Sequence, residues 1–160
     1  MRTIYLADSL TPALGRKIIN ELLELNEQNN VEPIDLIITT GGGSANYCYA
    51  IIKTMQEISA PVHTYCIGHA YSAGGAIFIN GEPGHRYITK SSFVMLHMPR
   101  GVFTLNDDDG HHTEFRMMQE RMVAALSNRS ITEVSKDLRL ELYMKGQEVV
   151  DYGLADHILG

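Results

Sequence analysis

The sequence predicts one α/β domain with crossover connections between its strands. Two observations carry that expectation. Short apolar runs alternate with segments whose apolar residues recur at helical spacing. The first three such pairs follow in the order strand, helix, strand, helix, strand, helix, the pattern of a sheet joined through helices. The length of 160 residues fits a single domain with a sizeable core.

Taken in order, Thr3–Ala7 reads as the first strand. Thr11-Pro12 supplies an N-cap followed by proline at the first helical position, where no amide donor is needed. Leu14, Ile18, Leu22 and Leu25 then mark an amphipathic helix from Pro12 to about Gln28, stopped by Asn29-Asn30. Ile34–Thr39 is a second strand, and the triplet Gly41-Gly42-Gly43 follows it directly. Such a triplet serves either close backbone approach to a ligand or a plain sharp turn. It has neither the lysine of a phosphate loop nor dinucleotide-loop spacing. Ser44–Ser59 is the next helix, broken by Ala60-Pro61, and Val62–Ile67 the third strand.

After that strand comes Gly68-His69-Ala70-Tyr71-Ser72-Ala73-Gly74-Gly75, read as a sharp glycine-lined turn into the helix around Ala76–Ile79. A serine on such a turn can expose its hydroxyl where the next backbone N–H groups converge, which suits a nucleophile with an oxyanion pocket. It can equally be a helix cap. Arg86–Ile88 and Phe93–Leu96 are further strands, the second ending at His97. A histidine there is structural or, paired with an elbow serine, a general base.

Beyond it, Asn106 to Gly110 does not fit a calcium loop, because Leu105 and Arg116 would fall at its ligand positions one and twelve. Asp109 reads instead as an N-cap. His111 and His112 are adjacent on the following helix and do not face each other, a poor metal pair. Phe115, Met118, Met122 and Leu126 form an apolar stripe for helix packing and subunit contact. Ser130 to Glu133 is a capping box, Leu140–Met144 a last strand, and Gly146–Tyr152 a short helix stopped by Gly153.

The totals exclude several classes. Hydrophobic residues make up 44% and charged residues 20%, as in globular proteins; 13 basic against 19 acidic residues give a net charge of −6. No basic block occurs, which argues against nucleic acid as a partner. No apolar run reaches the roughly 18 residues of a membrane helix, and the start does not resemble a signal peptide. The expectation is a cytoplasmic protein without membrane attachment. Cys48 and Cys66 fit no metal spacing and read as reduced core residues.

Gly-x-Ala-x-Ser ending at Ser72, a glycine turn with Arg86, and a strand ending Met95-Leu96-His97-x-Pro99 together resemble ClpP, the proteolytic subunit family of the Clp ATP-dependent proteases. Gly41-Gly42-Gly43, the Lys53-Thr54-Met55 helix and the segment Glu148–Asp156 extend the resemblance over nearly the whole chain. The resemblance implies a crotonase-like repeated ββα superhelix, with a projecting handle at about residues 100–128 whose strand is Gly101–Thr104. It implies a serine endopeptidase with Ser72 as nucleophile, His97 as base and Glu141 as acid. Gly43 and Ala73 fall at the oxyanion-hole donors. Gly43 and Ala45 on one side, and Pro99 and Arg100 on the other, fall at edges that hold a substrate peptide as an added strand.

The same resemblance implies no metal or organic cofactor. It implies homo-oligomeric heptameric rings, stacked as a tetradecamer around a chamber that admits short peptides or unfolded chains. A Clp ATPase or other ClpP-like subunits are the further partners it suggests, and an apolar residue is expected before the scissile bond.

The chain departs from the family pattern at several positions. Glu141 stands for an aspartate, Leu140 for an arginine, Ala73 for a methionine, Gly41 for a proline and Met98 for a glutamine. Arg100-Gly101 replaces a glycine pair. The start at the first core strand leads to the expectation of an ungated axial entrance. Two readings from other classes are a non-catalytic ring subunit, which the altered acid favours, and an acyl-CoA enzyme of the crotonase fold, in which Ser72 with His97 would be unexpected.

Overall fold

The computed structural model describes residues 1–98 and 111–160. Its elements are β1 (Thr3–Leu6), α1 (Pro12–Gln28), β2 (Ile34–Thr40), α2 (Ala45–Glu57), β3 (Val62–Tyr71), α3 (Ala73–Ile79), β4 (Arg86–Thr89) and β5 (Phe93–Leu96). Then follow α4 (His111–Ser127), α5 (Ile131–Arg139), β6 (Leu142–Lys145), α6 (Gln147–Tyr152) and β7 (His157–Leu159). The handle strand expected at Gly101–Thr104, the cap at Asp109 and the side chains of His111 and His112 lie outside the described residues.

Local chemistry sets the helix ends. The Thr11 hydroxyl accepts a hydrogen bond from the Leu14 N–H, with Pro12 beginning α1. Ser44 does the same for α2 through the Tyr47 N–H. Ser130 and Glu133 form both bonds of a capping box at α5. Gly153 ends α6 in the left-handed conformation that a side chain would disfavour.

Strands β1, β2, β3, β4 and β7 lie side by side, all parallel. Their inward residues, among them Ile4, Leu6, Ile34, Leu36, Ile38 and Cys66, are fully buried with Ile18, Leu22, Ile51 and Ile52 of the helices. Each such aliphatic side chain contributes about 1.5–3 kcal/mol by leaving water.

The site depends on a fork in β3. Thr64–Cys66 pair with β4, whereas His69–Tyr71 pair with β5, to which β6 adds antiparallel. Gly68, at φ +88°, turns the strand between its two partners, and its N–H donates to the Ser92 hydroxyl at 2.7 Å. The β2–β3 register slips at the same point, from Ile38↔Cys66 to Thr40↔Ala70.

Two sequence expectations are corrected here. Gly68–Tyr71 is strand, not turn, because those residues find a new partner in β5; the turn is confined to Ser72. The strand expected at Leu140–Met144 begins only at Leu142, since Leu140 caps α5 and Glu141 takes a left-handed backbone at φ +60°. It is also not the last strand, since β7 follows it and pairs with β4. Among the described residues no helix is long and apolar enough to cross a membrane.

Candidate active site

Ser72 stands between the end of β3 and the first turn of α3, with φ +54° and ψ −117°. That backbone is unfavourable for a residue with a Cβ, so the surroundings must hold it. The Ser72 N–H donates to the Met95 carbonyl at 2.8 Å, pinning the bend to β5. The side chain makes no helix-capping bond, so the cap reading of Ser72 fails. Its Oγ instead lies 2.7 Å from His97 Nε2.

Parallel pairing produces this meeting. Tyr71 is in register with Met95, so the residues just beyond each strand end emerge side by side. His97 is the first residue after β5, and the serine hydroxyl and imidazole are both half-buried. An imidazole nitrogen at this distance can accept the hydroxyl proton.

The glycine triplet packs directly against this elbow. A Cβ on Gly42 would sit 2.9 Å from Ser72 Cβ and 3.2 Å from the Ala73 nitrogen, and Gly42 has φ +103°. Gly43, at φ +148°, lies so close to Leu10 that an added Cβ would be 2.4 Å from its carbonyl oxygen. Glycine is therefore required twice, for close approach and for backbone conformation. Buried Thr40 braces the loop, donating to the Asp8 carbonyl at 2.6 Å and accepting from the Gly42 N–H at 3.1 Å.

Of the neighbouring amides, Gly42 N–H is bonded to Thr40 and Ser44 N–H to the Leu10 carbonyl. The N–H groups of Gly43 and of Ala73, the first residue of α3, make no hydrogen bond among the described residues. Two such donors beside a serine can receive a developing oxyanion.

Gly43, Ala45, Ser72, Ala73, Ala76, His97, Phe115 and Gln119 enclose a cavity of about 80 Å³. Ala73, Ala76, Phe115 and Gln119 are buried and form its inner wall; Gly43, Ala45, Ser72 and His97 are more exposed and form its rim. Of the expected site residues, the structure thus brings together Ser72, His97, Gly43, Ala73 and Ala45. Pro99 and Arg100 lie outside the described residues.

Glu141 is next to Leu142, which pairs with Leu96 across β5 and β6. Glu141 and His97 are the residues immediately beyond that last pair. The two other carboxylates that compete for the acid's role are engaged elsewhere. Asp137 accepts from the Tyr152 hydroxyl at 2.8 Å, and Asp156 accepts three bonds from Arg86.

Gln119 was missing from the expected site. Its signal was faint: a polar residue four positions after Phe115, breaking into the apolar stripe of α4. Cys48 lies beneath the site, its Sγ 3.5 Å from the Ala73 carbonyl. Burial pushes its thiol up to about 12, and that of Cys66 likewise to about 12, so neither is a nucleophile at neutral pH.

A serine–histidine hydrogen bond beside two backbone N–H groups that make no hydrogen bond among the described residues is an arrangement that can support acyl transfer. The Clp protease family model matches residues 1–160, and the chain belongs to that family. It is 29% identical over 163 residues to ATP-dependent Clp protease proteolytic subunit 1 of Rhodopirellula baltica, covering 99% of this chain and 72% of that protein.

Proposed function

We propose that the chain is a serine endopeptidase subunit that cleaves short peptides or unfolded polypeptides. The observation that carries this reading is the 2.7 Å contact between Ser72 Oγ and His97 Nε2 in a chain of this family. Ser72 Oγ attacks the peptide carbonyl while its proton passes to His97, forming the C–O bond. The N–H groups of Gly43 and Ala73 stabilise the oxyanion. As the C–N bond breaks, His97 returns the proton to the leaving amine, leaving an acyl-serine ester. Water, deprotonated by His97, then hydrolyses that ester and frees Ser72. Glu141 orients the imidazole and stabilises its charged form.

Family membership supports oligomeric rings, here proposed as heptamers stacked into a tetradecamer, with a Clp ATPase or related subunits as partners. Exposed Ile131, Leu140 and Tyr143, at 50%, 73% and 56%, are surfaces such contacts would cover. A cytoplasmic location and chemistry without a metal or organic cofactor complete the reading.

A fluorophosphonate probe tests it, with the labelled residue found by mass spectrometry on protein sized beforehand. The expected result is a large assembly labelled at Ser72. An assembled protein that takes no label would favour the non-catalytic ring subunit.

A further inference from the structure

We propose that Gln119 selects the side chain of the peptide residue whose carbonyl faces Ser72, favouring a short, neutral side chain that donates a hydrogen bond. This rests on the serine-peptidase reading and replaces the apolar preference expected from the sequence.

Gln119 is 5% exposed, and its Oε1 has no hydrogen-bond partner among the described residues. A buried acceptor without a donor is costly and uncommon in native proteins. The residue lines the same cavity as Ser72 and His97, and the rest of the inner wall, Ala73, Ala76 and Phe115, supplies no side-chain donor. A substrate side chain entering past the rim must therefore meet this amide.

An apolar side chain would seal the amide oxygen away from water with nothing to bond it. A hydroxyl or a carboxamide N–H would satisfy it. Exchange of the amide's oxygen and nitrogen would change which atom faces the ligand, yet either orientation calls for a polar partner. Charge is disfavoured on both sides. Among the described residues no carboxylate or cation lines the cavity, so a charge of either sign would be buried there beside a neutral amide without a counter-charge. Size follows from the volume bounded by the described residues, about 80 Å³, where a cavity of about 150 Å³ accepts a benzene. Serine, threonine and asparagine meet these conditions.

The test compares kcat/KM for fluorogenic peptides that differ only in this residue: Ser, Thr, Asn, Leu and Met. Wild type should favour the three polar side chains over Leu by about tenfold or more, as sites built for a hydrogen bond do. Gln119→Met, close in volume, should abolish or invert that ratio. A merely structural role would lower all five rates together and leave the ratio alone. Should Gln119→Met fail to assemble, Gln119→Leu and the wild-type profile decide the matter. Leu or Met preferred by wild type, with Ser72 still labelled by fluorophosphonate, would overturn this proposal alone. No cleavage and no label at Ser72 would overturn it together with the peptidase reading.

Discussion

Two polar clusters in this molecule are organised in opposite ways. At the edge formed by β4 and β7, Arg86 and Asp156 form a saturated clasp. The Asp156 carboxylate accepts from the Arg86 backbone N–H at 2.9 Å, from Nε at 2.9 Å and from Nη2 at 2.7 Å. At the β3–β5 end, Ser72 and His97 share one side-chain bond, and the two nearby amides have none among the described residues. The clasp uses its capacity to hold the chain closed across 70 residues. The elbow keeps two backbone donors beside a hydroxyl that is already hydrogen-bonded to its proton acceptor. Backbone conformation divides them too: the non-glycine residues at positive φ among those described are Ser72, Asn128 and Glu141, two of which belong to the proposed triad.

The largest effect that separates the two clusters is Ser72→Ala. Peptide cleavage should fall on the order of a thousandfold or more, because nucleophile and base act as a unit. Thermal stability should stay close to wild type, since Ser72 Oγ caps no helix. Substantial activity in purified Ser72→Ala protein would remove the chemical half of the comparison.

Next in size is Glu141→Gln. Loss of the charge that stabilises imidazolium should reduce turnover by about a hundredfold, with Ser72 labelling slowed in parallel. Full turnover in this variant would leave a Ser72–His97 dyad and detach Glu141 from the site.

The clasp should answer in stability instead. Asp156→Asn removes the charge from a carboxylate facing the nearly buried Arg86, and should cost about 2–4 kcal/mol in denaturant unfolding. Activity of the remaining folded protein should be unchanged. Burial by itself raises the Asp156 carboxyl, but its hydrogen bonds with Arg86 outweigh this and hold it below the usual range. Its contribution is thus present above the unfolded carboxyl value, about 3.9, and is lost as pH falls through the lower folded value. In Asp156→Asn the acid-side decline should be shallower. Equal acid-side slopes would show that the clasp carries no ionised carboxylate.

How much of this was legible in the sequence follows the range of the interactions. The bounds of α1 could be read because Thr11, Pro12 and Asn29 act within a few residues of themselves. Ser72 and His97 were visible as motif residues, yet what brings them together is the β3–β5 register. The full length of β3 was hidden because Gly68 turns between two partners supplied later in the chain. The bend at Glu141 was hidden because Leu140 and Leu142 read as one apolar strand with it. The Arg86–Asp156 clasp leaves no local trace at all, since its halves are far apart in sequence. Gln119 was masked by its own helix, where an apolar stripe drew attention to its neighbours.

The smallest expected effect tests the boundary between the two kinds of cluster. Asp137 is only four residues before Glu141, but it lies on α5, and its Oδ2 accepts from the Tyr152 hydroxyl of α6 at 2.8 Å. The guanidinium of Arg129 covers the Tyr152 ring at 3.9 Å from its centroid, completing a small packing knot. Asp137→Asn keeps an acceptor oxygen in place and loses only the charge that strengthens the bond. It should cost about 0.5–1.5 kcal/mol and leave turnover within about twofold. Burial first, and the bond to Asp137 second, push the Tyr152 hydroxyl above the usual tyrosine range. The stability this brings is full below the unfolded tyrosine value, about 10, and is lost as pH rises through the higher folded value. Asp137→Asn should lower that folded value and soften the alkaline decline. If Asp137→Asn instead reduces turnover as Glu141→Gln is expected to, the working acid has been placed on the wrong element.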